Sequence, residues 1–332
     1  MRRLRRTTAP ATRFDWRDEA ARLRRLARPL VPSTQHAPIP PALPPGRVEL
    51  LAGRGEVFLR QAEGPPGVPP VLLLHGWTAT ADLNWWRAYP AVATIAPLVA
   101  VDHRGHGRGL RSEETFSLEA AADDAAALIE HLGIGPVVVC GYSMGGPISM
   151  LLWQRHPHLV AGIVLEATAL EWRASLRERL IWRTMGLLEY ALRIGPSRGL
   201  LERVLREAID QAPDLAPHRP WLKAELGRGD PTEIANAGRA LGKYDSRGFA
   251  GSVDVPAAVV VTTKDRLVRP RKQRALAEAI PGARTFELAG DHDVCLVSPE
   301  DFAAVTVAAL TDVLGRVTER PVKGAAEAAR LA

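Results

Sequence analysis

Apolar residues in the middle of this chain come in short unbroken runs, each closed by a polar or glycine-rich turn. Residues 71–74, 98–101, 137–140, 163–165 and 257–261 are such runs. Strands covered on both faces read this way, whereas a strand with one wet face alternates apolar and polar positions. Stretches with helical spacing, such as 147–156, lie between them. Strand and helix in alternation predict a mostly parallel, twisted α/β sheet with helices on both faces. Residues 48–50 and 57–59 predict two opening antiparallel strands, and residues 285–288 predict a last strand before the C-terminal region.

The rhythm breaks at residues 169–247, which read as a helical cap inserted after the strand at 163–165. Leu176, Leu180, Met185, Leu187, Leu188 and Leu192 supply an apolar helix or helix pair, closed by Gly195-Pro196. Ser197 suits the cap of a second helix carrying Leu200, Leu201, Val204 and Leu205, and Asp230-Pro231 is a strong helix start. An insertion at this place stands over the C-terminal edge of the sheet, and its helices would wall a pocket. At the N-terminus, Trp16, Ala20, Leu23, Ala27 and Leu30 recur at helical spacing among arginines, and seven prolines follow between Pro29 and Gly46. The predicted organisation is an amphipathic arm and linker (1–46), a core in two pieces (47–168 and 248–316), the cap (169–247) and a tail (317–332).

The chemistry sits at the ends of the predicted strands. Gly141-Tyr142-Ser143-Met144-Gly145 joins the run 137–140 to a helix, so Ser143 occupies a tight strand-to-helix bend that needs small neighbours. The amide of Met144, at the start of that helix, points toward the serine's substrate and is placed to hold a negative oxygen. The amide of Trp77, after His75-Gly76, would be a second such donor. Asp265 follows the run 257–261 and His292 follows the last strand, so serine, acid and histidine occur in one of the orders known for a catalytic triad. Asp291 and Asp293 flank His292 but are badly placed to face its ring. His75 is expected to brace the oxyanion loop, and His103 and His106 to serve turn geometry or pocket lining. Neither a metal nor a cofactor is implied.

These segments, His75-Gly76-Trp77, residues 102–107 (DHRGHG), residues 141–145 (GYSMG), residues 264–268 (KDRLV) and residues 290–293 (GDHD), resemble those of the α/β-hydrolase superfamily over roughly residues 47–316. The resemblance implies the α/β-hydrolase fold, a serine-nucleophile branch of esterase or lipase type, and a helical cap. It places Trp77 at the pocket mouth, with Trp85 and Tyr142 beside His75 as further pocket candidates. It also leaves Glu166 as a lesser alternative acid, because some members carry theirs on that earlier strand. The implied activity is hydrolysis of a carboxylic ester with a small or medium apolar acyl group. Thioester or carbon–carbon bond hydrolysis is the nearest alternative, ahead of acyl transfer or non-catalytic ligand binding.

Charge and composition narrow the partners. The chain has 332 residues and a formal net charge of +6. Its first 28 residues hold ten arginines against Asp15, Asp18 and Glu19, so the remainder is close to neutral. Nucleic-acid binding by the core is therefore not indicated, and the partner is a small-molecule acyl substrate. Residues 1–30 have a thin, alanine-rich apolar stripe, which favours docking on the core or disorder, with contact to an anionic membrane surface as the competing reading. Two cysteines, Cys140 and Cys295, form no disulfide framework, and a cytoplasmic setting is expected, with peripheral membrane contact as the alternative role of the arm.

Overall fold

Why the apolar runs are unbroken is plain from their surroundings. The computed structural model of the chain describes residues 42–173 and 217–319, together with residues 176, 178, 180 and 184. Within these lie strands β1 (Gly46–Leu51), β2 (Gly55–Ala62), β3 (Val71–Leu74), β4 (Leu98–Val101), β5 (Val137–Tyr142), β6 (Val160–Glu166), β7 (Ala257–Thr262) and β8 (Arg284–Leu288). They form one eight-stranded sheet in the order β1-β2-β4-β3-β5-β6-β7-β8. Both pairings of β2 are antiparallel, and all the others are parallel. Every residue of β3, β4, β5 and β7 is buried.

Period-two alternation divides these strands between two cores. Leu72, Leu74, Val137, Val139, Ile163, Val259 and Val261 face one side, with Ile129, Ile148, Leu152 and Leu276 packed on them. Those partners belong to helices α3 (Leu118–Leu132), α4 (Gly145–Arg155) and α7 (Pro270–Ala279). Val71, Leu73, Val138, Cys140, Tyr142, Val164 and Val260 face the other side, against Trp85, Tyr89, Phe302 and Leu310. These come from the short helices α1 (Ala81–Trp85) and α2 (Tyr89–Ala93) and from the C-terminal α9 (Pro299–Thr318). Helix ends follow local chemistry. Ser117 caps α3 through the Ala120 amide, and Gly133, in the left-handed region at φ 62°, ends it.

Between β6 and β7 the described residues hold α5 (Arg219–Leu226) and α6 (Pro231–Leu241). The predicted start of α6 is present: the Asp230 carboxylate accepts from the amides of Thr232 and Glu233, and Pro231 occupies the first turn. Helix α5 is an addition to the sequence reading. Leu176 and Leu180, expected to bury an apolar face, are 79% and 64% exposed. The remaining leucines of that predicted helix, the helix after Ser197, the N-terminal arm and the tail from residue 320 lie outside the described residues. No described helix is long and apolar enough to cross a membrane.

A buried ion network fastens α5 to the turn after β4. Arg60 holds Asp82 through both carboxylate oxygens, and Arg108 donates to Asp82 at 2.7 Å and to Glu225 of α5 at 3.1 Å. Asp102 accepts from the amides of Ala81 and Arg108, both at 2.8 Å. Asp82 and Glu225 are almost fully buried, so the cationic partners are what makes their charge tolerable. Burial works against ionisation of Asp82, yet Arg60 and Arg108 hold its carboxyl below the usual range.

Candidate active site

The bend after β5 is strained and locked. Ser143 has φ +52°, a left-handed conformation uncommon for a residue with a side chain. Its amide donates to the Glu166 carbonyl at 2.8 Å, and its own carbonyl accepts from Gly146 at 3.0 Å. Glycine is required on either side. A Cβ on Gly141 would stand 2.2 Å from the Gly145 carbonyl oxygen, and one on Gly145 would stand 2.2 Å from that of Leu74. The close approach of α4 to β3 thereby brings the serine beside the loop that carries Gly76 and Trp77.

His292 enters from the loop between β8 and helix α8 (Val294–Val297). Its Nε2 lies 2.9 Å from Ser143 Oγ, and its Nδ1 lies 2.8 Å from Asp265 Oδ2. Asp265 is itself 3% exposed and fully engaged. Its Oδ1 accepts from the amides of Leu267 and Val268 at 2.8 and 2.7 Å, while Oδ2 also accepts from Thr262 Oγ1 at 2.8 Å and Gln273 Nε2 at 3.2 Å. A carboxylate held by five donors keeps one orientation toward the imidazole and stays a strong acceptor.

The competing carboxylates point elsewhere. Asp291 accepts from the amides of Arg266 and His292. Burial opposes its charge, but those amides and the Arg266 guanidinium hold it below the usual range. Asp293 is raised by burial and by the charge of Asp291. Glu166 is fully buried on the α9 side beside Thr306 and Cys140, and burial pushes its carboxyl up to about 8. At neutral pH it is an acid with its proton on.

The oxyanion loop is braced by neutral histidines. His75 Nε2 accepts from the His103 amide at 2.9 Å, which puts its proton on Nδ1, where it donates to the Gly76 carbonyl at 2.8 Å. His103 Nε2 in turn donates to the His75 carbonyl at 3.1 Å. Burial drives His75 well below its ordinary value, His103 to about 3 and His106 to about 4. All three are uncharged over the physiological range. The Gly76 amide donates to Asn84 Oδ1 at 2.8 Å, a support that sequence reading did not find. Trp77 reaches the insertion: its indole N–H donates to the Ile234 carbonyl at 2.6 Å, and its ring lies on Gly238 of α6. Met144 stands at the N-cap position of α4, without a side-chain capping bond.

The other pocket candidates are placed inside the protein, not on an open wall. His75 and Trp85 are fully buried and Tyr142 is 3% exposed. Trp85 packs against Phe302 and edge-on against Tyr142, so its bulk fills the core beneath the bend. Residues that the sequence reading missed include Thr262 and Gln273. Gln273 carries no motif, although its place eight residues beyond Asp265, on the helix that follows, was the available signal. A cavity of about 570 Å³ lies to the side, among residues of α3, α4 and α6 such as Glu119, Leu151, Asn236 and Arg239. None of Ser143, Asp265 and His292 lines it, so side-chain geometry, not cavity size, locates the chemistry.

Comparison with known proteins identifies the family. A family profile described as the alpha/beta hydrolase fold matches residues 69–299, well over half of the chain. The chain belongs to the alpha/beta hydrolase family. Among its relatives is the pimeloyl-[acyl-carrier protein] methyl ester esterase of Neisseria meningitidis serogroup A, 28% identical over 264 residues, covering 78% of this chain and 82% of that protein. Lipase LipV of Mycobacterium tuberculosis is 38% identical over 166 residues, covering 50% of this chain and 59% of the lipase. Of solved structures, the enol-lactonase from Burkholderia xenovorans LB400 superposes with a TM-score of 0.68 at 23% identity, over 80% of this alpha/beta hydrolase and 100% of that chain. That likeness speaks to the fold.

Proposed function

We propose that this alpha/beta hydrolase is a serine esterase that cleaves carboxylic esters of small or medium apolar acyl groups through an acyl-enzyme. The observation that carries this reading is the continuous relay from Ser143 through His292 to Asp265, with contacts of 2.9 and 2.8 Å. Ser143 Oγ attacks the ester carbonyl carbon while its proton passes to His292 Nε2. Negative charge on the former carbonyl oxygen is held by the amides of Trp77 and Met144, with the N-terminus of α4 adding to the field. His292 then gives its proton to the departing alkoxide, leaving the acyl group on Ser143. Water, deprotonated by the same imidazole, attacks that acyl group, and collapse of the second tetrahedral intermediate releases the acid and restores Ser143. Asp265 keeps the proton of the neutral imidazole on Nδ1 and stabilises the imidazolium that forms.

The relatives named as methyl ester esterases and a lipase fit this reaction class, and they favour an ester over a thioester or carbon–carbon bond. The helices between β6 and β7 act as the cap, with Trp77 joining them to the oxyanion loop. The free thiols Cys140 and Cys295 suit a cytoplasmic enzyme, with the arginine-rich residues 1–30 supplying peripheral contact with an anionic membrane. Hydrolysis of short-chain nitrophenyl esters tests the reading. Ser143→Ala and His292→Ala should each remove most turnover, by up to about a millionfold in a tightly coupled relay. Undiminished turnover in Ser143→Ala would refute it.

A further inference from the structure

The residue before the nucleophile does something that a pocket wall would not. Tyr142 ends β5, and strand alternation turns its side chain toward the α9 face, the side on which α8 packs. There its hydroxyl donates to the carbonyl oxygen of His292 at 2.7 Å. Its ring is enclosed by Phe302 and Trp85, both edge-on, with centroids at 5.6 and 6.2 Å, and by the His292 ring at 5.8 Å. Two χ angles and full enclosure leave the phenol one place to point. Burial and the nearby Cys295, Asp265 and Glu166 raise its pKa far above the ordinary value, so it remains a donor wherever the enzyme is folded.

One rigid strand end thus supplies Ser143 to the relay and fixes the backbone of the histidine that must meet it. His292 sits on a loop, and its imidazole reaches Ser143 only if that backbone holds its position. The geometry points to Tyr142 as a positioning residue that sets the Ser143–His292 distance by tying the His292 carbonyl to the end of β5. This rests on the serine-hydrolase reading above. It predicts that loss of the hydroxyl alone, with the ring retained, lets the base drift from the nucleophile, and misplacement on the scale of an ångström costs about a hundredfold in rate.

The test compares native enzyme and Tyr142→Phe in their rates of fluorophosphonate labelling and in their kcat and KM on a soluble nitrophenyl ester. The variant should label to the same final stoichiometry but on the order of 10- to 100-fold more slowly, with kcat reduced by a similar factor and KM within about twofold. A purely structural role would lower the fraction of labelled protein without slowing the labelling of what remains folded. Equal labelling rates in the two proteins would overturn the assignment of Tyr142 while leaving the serine reading intact. Absence of any label on native Ser143 would overturn that reading and this inference together.

Discussion

Replacing Glu166 by glutamine separates a buried acid's effect on stability from any part in catalysis. Its carboxyl is fully buried between β6 and α9, and no hydrogen bond of standard geometry closes on either oxygen. Burial raises it from 4.5 to about 8. Between those values the unfolded chain has released a proton that the folded protein retains, so unfolding releases a proton and stability falls as pH rises from about 4.5 to about 8. Below that window both states are protonated, and above it both are ionised, so the slope vanishes at either end. At about 1.4 kcal/mol per pH unit, the full span is worth roughly 5 kcal/mol, an upper figure because the fold relaxes around a buried charge. Glutamine keeps the shape and cannot ionise. Urea unfolding should therefore find Glu166→Gln within about 1 kcal/mol of native at pH 5 and several kcal/mol more stable at pH 8. Esterase turnover should stay within a few-fold, because Asp265 and not Glu166 faces His292. A stability difference that is flat from pH 5 to 8 refutes the burial argument, and loss of turnover in Glu166→Gln refutes the assignment of the acid.

Three further outcomes follow from the same geometry. Asp265→Asn should lower turnover on the order of ten-thousandfold with the fold intact by circular dichroism, since the amide disfavours the imidazole tautomer that Ser143 needs. The buried histidines act oppositely to Glu166. Below pH 6.5 the unfolded chain takes up protons that folded His103 and His106 refuse until about 3 and 4, so stability falls as pH drops through that window. Roughly 3 kcal/mol of this belongs to His106, and His106→Gln should lessen the fall of the urea midpoint between pH 6.5 and 4.5, with His103 and His75 keeping the rest. A chain beginning near Pro45 should keep its turnover on a soluble ester and lose affinity for anionic vesicles at low salt, as co-sedimentation would measure.

The parts of the fold legible in the sequence are those where physics leaves little choice. A doubly covered parallel strand must be apolar throughout, which is why the runs containing Leu72, Val99, Val139 and Val259 stand out. Asp230-Pro231 was legible for a similar reason, since a capping carboxylate and a proline at the first turn satisfy the backbone locally. Ser143, Asp265 and His292, whose side chains the structure brings within hydrogen-bond distance, were singled out because each follows a recognisable strand end. What escaped depends on packing between distant segments. Tyr142, read from the sequence as a pocket candidate, follows the alternation of Val138 and Cys140 into the core, and its partner His292 lies 150 residues away. Thr262 and Gln273 matter through the lone pairs of Asp265, which no local pattern encodes. Leu176 and Leu180 have the spacing of a buried stripe but are exposed, because periodicity reports a face and not what covers it.

The most direct measurement is the site of covalent attack by a fluorophosphonate on the folded protein, read by intact mass and peptide mapping. Among the described residues, Ser143 combines an imidazole nitrogen at 2.9 Å with a strained strand-to-helix bend. The account predicts one adduct per chain, on Ser143, abolished in Ser143→Ala and strongly slowed in His292→Ala. A folded protein that takes no label, or takes it on a different serine, would contradict it.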